Sequence, residues 1–197
     1  MTHAAFSLPV ALKLEGRACL VIGNGPEAMR RTRDLLNAGA VVQLVAARPS
    51  TELRAFAASN SLDLRERDYI ATDMEGVWLA VLCERDPTLA RQAAADAERN
   101  RVFFCAVDQP EHNSFAHVSV ARSGPVFLAA GSEGKAPALA RRLKQVLQPA
   151  LEDPAFVSFV THLVELRKRT PPAERAQVLS RAVDKLRLAG RFVVDEE

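Results

Sequence analysis

Residues 18–28 read Ala-Cys-Leu-Val-Ile-Gly-Asn-Gly-Pro-Glu-Ala, and no other stretch constrains the fold as much. The apolar run Cys19–Ile22 has the length and composition of a buried strand. It breaks at Gly23, and Pro26 stands where the first turn of a helix accepts proline, since the N–H it lacks has no helical partner there. The helix carries Leu35, Leu36 and Ala38 and stops at Gly39, after which Val41–Val45 supplies a second strand. This is a β-α-β unit with G-x-G-x-x-A at its first turn. Gly23 allows the tight turn, Gly25 lets the backbone approach a pyrophosphate, and Ala28 is small enough for close helix–strand packing, with the helix N-terminus facing the anion. Gly23, Asn24, Gly25, Pro26, Glu27 and Ala28 are therefore the expected dinucleotide-binding residues; a merely structural turn is the other reading of the pattern.

The alternation continues. Leu8–Leu12 reads as an extended lead-in before a turn at Glu15-Gly16. Ser50 or Thr51 caps a helix to about Ser59, and Leu62–Arg65 alternates like a strand near a sheet edge. Val77–Cys83 is an apolar strand, its helix runs from about Pro87 to Asn100, and Val102–Val107 is a fifth strand. Five strands separated by helices predict an α/β fold with a mostly parallel sheet and helices on both faces. After Asp108-Gln109-Pro110 the pattern changes. Phe115–Val120 and Val126–Ala130 read as two strands joined at Arg122-Ser123-Gly124-Pro125. The loop Gly131–Pro137 then opens a helix striped with Leu139, Leu143, Val146 and Leu147. Beyond Asp153 only helices are legible. One carries the stripe Phe156, Phe159, Val160, Leu163 and Leu166; after Pro171-Pro172 another carries Val178, Leu179, Ala182, Val183 and Leu186.

At 197 residues the chain can hold one good core plus an appendage. No apolar run reaches membrane-span length, the N-terminus lacks a signal-peptide pattern, and a net charge of +2 does not call for nucleic acid. The three cysteines, Cys19, Cys83 and Cys105, lie in apolar runs without metal-ligand spacing, so they read as small buried hydrophobes in a reduced, cytoplasmic compartment.

The order of motifs resembles the precorrin-2 dehydrogenase and sirohydrochlorin ferrochelatase family, the dehydrogenase/ferrochelatase part of siroheme synthase. The residues behind the resemblance are Gly23-Asn24-Gly25, Val107-Asp108-Gln109-Pro110, Phe115–Pro125, and Ser132-Glu133-Gly134-Lys135-Ala136-Pro137-Ala138-Leu139-Ala140-Arg141. It covers residues 8 to about 148 well and the C-terminal helices loosely. It implies a Rossmann-like domain over residues 1–112, a small strand-pair dimerisation region over 113–148, and a C-terminal helical domain over 149–197. It further implies a homodimer that oxidises a reduced tetrapyrrole with NAD to give sirohydrochlorin, and, as in some family members, ferrous iron as a second substrate. The chain departs from the family at Asn24, where a third glycine is usual, and at Cys83-Glu84-Arg85-Asp86, where the fourth strand commonly ends Ala-Thr-Asp-Asp. It departs again at Ala90 and Cys105, which replace asparagines, and at Val118, which replaces a proline.

The resemblance makes Asp108 the expected catalytic residue, a carboxylate that removes a ring proton or takes protons displaced by a metal. By spacing alone it reads equally well as a turn former before Pro110. Ser132, Gly134, Lys135 and Arg141, with His112, are the expected substrate-binding residues, because precorrin-2 carries eight carboxylates and a helix N-terminus beside lysine suits anions. The other reading of Arg141 is a solvated helix face. His112 and His117 lack a fixed ligand spacing, so no resident metal is expected. His3 and His162 read as surface or packing residues. Arg167-Lys168-Arg169 has no interleaved aromatics for nucleic-acid stacking. Strand two ends at Arg48 with no acid for a ribose 2′-hydroxyl; Arg48 suits a 2′-phosphate or the adenine face, so NAD is expected and NADP left open. Glu84 is expected at the cofactor, where its charge would repel or re-select the dinucleotide. A non-oxidising relative that binds a tetrapyrrole or metal, or a chelatase alone, is the alternative.

Overall fold

A computed structural model describes residues 7–189 and residue 192. His3 lies outside them. Two compact units are present, one ending at His117 and one beginning at Val118.

The first unit is a five-stranded, wholly parallel sheet in the order β3-β2-β1-β4-β5. Its elements are β1 (Ala18–Ile22), α1 (Gly25–Asn37), β2 (Val41–Val45), α2 (Thr51–Ser59), β3 (Asp63–Arg65), β4 (Leu79–Leu82), α3 (Pro87–Asn100) and β5 (Phe103–Ala106). Successive side chains of β1 point to opposite faces, so its apolar run feeds two cores. Cys19 and Val21 pack with Ala28 and Leu35 of α1 and Leu53 and Ala57 of α2. Leu20 and Ile22 pack on the other face with Ala90, Ala93 and Ala97 of α3, Tyr69, Met74 and Phe104. Ala90 is fully buried there, so the small side chain serves close helix–sheet packing.

Local chemistry sets the helix starts. Asn24, Ser50 and Asp86 cap α1, α2 and α3 with their side-chain oxygens, satisfying N–H groups that the helices leave over. Behind β3, the fully buried Asp73 carboxylate accepts from Arg65 (2.9 Å), Arg67 (2.6 and 2.7 Å) and the backbone N–H of Ile70 (3.0 Å). Desolvation pushes its pKa up, but the hydrogen bonds from Arg67 and Ile70 outweigh that and hold it below the usual aspartate value. On the outer side of β5, the N–H groups of Phe104 and Ala106 donate to Ser114 Oγ (2.8 Å) and Asn113 Oδ1 (2.6 Å). The carbonyl of Phe104 accepts from Ser114 N, and that of Ala106 from Gln109 N.

The second unit pairs β6 (Ser119–Ser123) and β7 (Val126–Ala130) antiparallel across a two-residue turn, Gly124-Pro125. Against it lies α4 (Pro137–Glu152), whose Gln148 bonds both backbone groups of Arg122 (3.0 and 2.9 Å). Next come α5 (Pro154–Arg169) and α6 (Arg175–Val183). Phe156, Phe159, Val160, Leu163 and Leu166 form the half-buried face of α5, as their spacing implies.

Two strands and one cysteine depart most from the sequence reading. The strand expected over Phe115–Val120 begins at Ser119, because Phe115 packs against the core of the first unit and His117 stands edge-on to its ring at 5.1 Å. The strand expected over Val77–Cys83 narrows to β4. Trp78 is 48% exposed, with the guanidinium of Arg17 3.9 Å above its ring. Cys83 is only half-buried, unlike Cys19 and Cys105.

Candidate functional site

The chain crosses the sheet from β1 outward to β2 and β3, then returns to add β4 and β5 on the other side. The loops after β1 and β4 therefore diverge at the C-terminal edge, the place where open parallel sheets leave a crevice for ligands. Gly23, Asn24, Gly25, Glu27, Glu84 and Asp108 all lie on loops or helix starts at that edge.

Gly23 adopts φ +118°, and a Cβ there would stand 2.8 Å from Cγ of Glu84 and 3.3 Å from backbone atoms of Cys83 and Glu84. Gly25 also has positive φ (+79°), and the space beside it is open. The loop thus leaves open space beside Gly25 at the N-terminus of α1, the room a pyrophosphate needs. Asn24 has an ordinary extended backbone, so glycine is not needed. Its Oδ1 accepts from Gly25 N (2.8 Å) and Ser50 N (3.0 Å), and its Nδ2 donates to the carbonyl of Arg48 (2.9 Å). The departure at residue 24 ties the first glycine loop to the loop after β2. Pro26 occupies the first turn and Ala28 is fully buried against the sheet, as expected.

Glu84 is half-buried, and desolvation, then Asp86 and Asp68, push its pKa above the usual glutamate value. Its carbonyl accepts from the buried Gln109 side chain (2.9 Å). The open space at Gly25 and the helix start fit a dinucleotide; Glu84, whose Cγ lies against Gly23, brings an acidic side chain to the same loop.

Asp108 adopts φ +61°, a left-handed conformation that aspartate tolerates better than most residues. Its Oδ2 accepts from Arg85 Nη2 (2.5 Å) and Nε (3.1 Å). The two line a cleft of about 280 Å³ with Glu27, Arg30, Arg31, Cys83 and Val107. Glu27 is held by Arg30 (2.6 and 2.9 Å) and Arg31 (2.8 Å), the i+3 and i+4 neighbours on α1. Burial pushes the Cys83 thiol up to about 12, so it is an inert wall of the cleft.

Sequence reasoning missed Arg30, Arg31 and Arg85. The first two carried a signal in the Glu27-x-x-Arg30-Arg31 spacing. Arg85 carried none, because its partner lies on the loop after the next strand. His112 ends a 3₁₀ turn, with Nε2 3.8 Å from the Glu111 carboxylate.

The other expected substrate residues lie in the second unit. Ser132 accepts from Ala136 N through Oγ (3.1 Å) and from Lys135 N through its carbonyl (2.8 Å), so it shapes the turn before α4. Gly134 and Glu133 both have positive φ, Glu133 standing where the family loop carries glycine. Lys135 and Arg141 are exposed. Among the described residues, no group of three or more His, Cys, Asp or Glu side chains is placed to hold a metal ion.

Residues 10–119 match the family model NAD_binding_7, described as NAD(P)-binding. The chain is 35% identical over 144 residues to Siroheme synthase 2 of Klebsiella pneumoniae subsp. pneumoniae, covering 73% of this chain and 32% of that protein. It is 32% identical over 196 residues to Siroheme synthase 2 of Cronobacter sakazakii, covering 96% of this chain and 42% of that protein. The chain therefore spans less than half the length of these curated relatives. Its fold matches the solved structure of SirC, precorrin-2 dehydrogenase, with a TM-score of 0.74 at 22% identity, covering 91% of this chain and 90% of that one. The chain belongs to the NAD(P)-binding family that this model describes, and over most of its length it is similar to siroheme synthases.

Proposed function

We propose that this chain oxidises precorrin-2 to sirohydrochlorin with a nicotinamide dinucleotide in siroheme biosynthesis. The observation behind this reading is one juxtaposition: the bare glycine loop at the start of α1 and the Asp108 carboxylate share the C-terminal edge of one sheet. The nicotinamide, when bound, takes a hydride from the tetrapyrrole. The chain's own residues do the rest. Gly25 leaves open space in which the dinucleotide phosphates approach the start of α1, Arg48 sets the adenosine end, and Asp108 accepts the ring proton left behind. Positioning supplies most of the catalysis, because conjugation of the macrocycle makes the oxidation downhill. NAD is the cofactor of this reading, and NADP is the comparison arm of its test. In the same reading ferrous iron is a second substrate, with Asp108 taking the protons it displaces.

Anaerobic incubation with precorrin-2 and NAD should yield sirohydrochlorin absorbance and NADH in step, and added ferrous iron should convert the product to siroheme. No turnover with NAD or NADP overturns the dehydrogenase. Glu84 against Gly23 favours the second reading, a relative that binds a tetrapyrrole without oxidising it. Tetrapyrrole affinity with no dinucleotide affinity would select that one.

A homodimer is part of the proposal, with residues 113–148 as its dimerisation region. Leu139, Val146, Val157, Val164 and Val183 are exposed on the helices of the second unit, apolar surface that a second copy would cover. Light scattering at micromolar concentration should give twice the chain mass.

A further inference from the structure

We propose that Arg85 is the receptor for a substrate carboxylate, held on Asp108 until the substrate displaces it. The inference rests on the tetrapyrrole reading above and adds a residue that the resemblance does not supply, since the family commonly carries aspartate at this position.

The cleft holds three guanidinium groups, Arg30, Arg31 and Arg85, against two carboxylates, Glu27 and Asp108, which leaves one positive charge in excess. The three are held differently. Arg30 and Arg31 share both oxygens of Glu27 on one helix, and the Arg31 side chain is only 11% exposed. Arg85 is 81% exposed and directs Nε and Nη2 at the single oxygen Oδ2 of Asp108. A fork-to-fork pair would use two carboxylate oxygens, and an ion pair this open to water adds little stability. The Asp108 side chain is itself 57% exposed, so water competes for both partners of the pair. A carboxylate arriving from the cleft can present both oxygens to the guanidinium, which is the stronger arrangement. The exchange seats one acid side arm of the substrate and leaves Oδ2 of Asp108 free for the ring proton. No bond is made or broken in it.

The test uses the full chain with precorrin-2 and NAD under anaerobic conditions. Arg85→Gln should raise KM for precorrin-2 by about tenfold or more, the usual scale for a lost charged hydrogen-bond partner, while KM for NAD stays within about twofold. The loss should fall on KM and not on kcat, because Asp108 is then free at all times. Arg85→Lys keeps the charge without the fork and should recover part of the affinity. Fluorescence quenching of the octacarboxylate uroporphyrin I, measured without dinucleotide, should weaken in the same order. Melting curves accompany each variant, and Arg85→Lys serves if Arg85→Gln does not fold. Wild-type KM and wild-type uroporphyrin affinity in Arg85→Gln overturn the proposal. Absence of turnover in the unsubstituted protein overturns the dehydrogenase reading instead, and the uroporphyrin titration still decides on Arg85.

Discussion

Cγ of Glu84 lies 2.8 Å from the point where a Cβ on Gly23 would stand. An acidic side chain and the first glycine of the loop before α1 are thus in contact. Gly23→Ala forces φ +118° on a residue that resists it and drives the methyl against backbone atoms of Cys83 and Glu84 as well. It should lower stability by about 1–3 kcal/mol in denaturant titration and weaken NAD binding with it.

Glu84→Gln should act in the opposite sense. A carboxyl whose folded pKa is raised is penalised once it ionises, so the cost appears as pH rises from the ordinary glutamate value through the raised one. At pH 7 the glutamine variant should therefore melt higher than the parent, and the gap should close as pH falls below the usual glutamate range. Dinucleotide affinity at pH 7, measured by calorimetry, should rise several-fold as the repelling charge goes. Unchanged affinity would mean that Glu84 does not face the phosphates.

Asn24→Gly restores the family's third glycine and should cost about 1–2 kcal/mol. It removes the cap of α1 together with the bonds to Ser50 N and the Arg48 carbonyl. Thermal melting with NAD titration checks it: a role in loop bracing moves the melt first, whereas a direct ligand contact would move affinity alone.

The sequence made the sheet legible for a simple reason. Parallel strands buried on both faces are unbroken apolar runs, and glycine or proline punctuates each one. Where an apolar residue serves a neighbour other than its own strand, the run misleads. Phe115 extends the apparent sixth strand while packing on the first unit, and Trp78 extends the fourth while its ring lies under Arg17 in solvent. The glycine loop was legible because its chemistry is local. The Arg85–Asp108 pair was not, since it joins loops 23 residues apart that only the β4–β5 pairing brings together. Asn24 was visible as a departure, but two of its three bonds, to the Arg48 carbonyl and Ser50 N, depend on where the loop after β2 ends.

Asp108→Asn should reduce precorrin-2 oxidation by roughly 100-fold while leaving stability within about 1 kcal/mol. Asparagine tolerates the left-handed backbone that residue 108 requires, so the turn survives the loss of the base. Turnover and melting on the same preparation decide the matter. Full activity would reduce Asp108 to a turn residue.

Asp73→Asn removes the charge that Arg65 and Arg67 converge on and should destabilise the chain by about 2 kcal/mol or more. Because the folded pKa of Asp73 is depressed, its contribution is complete above the ordinary aspartate value and is lost as pH falls through the folded one. The parent should therefore lose stability in acid more steeply than the variant, as melting between pH 5 and the acid limit of solubility would show.

The outer rim of β5 is closed to further strand pairing. With the N–H groups of Phe104 and Ala106 taken by Ser114 and Asn113, and their carbonyls by Ser114 N and Gln109 N, this rim has no backbone valence left for an incoming strand. The opposite rim, β3, is three residues long, with the charged Asp63 and Arg65 at its two ends. The five-stranded sheet is thus closed at its β5 margin and short at the other, so it offers little template for growth into fibrils or swapped ribbons.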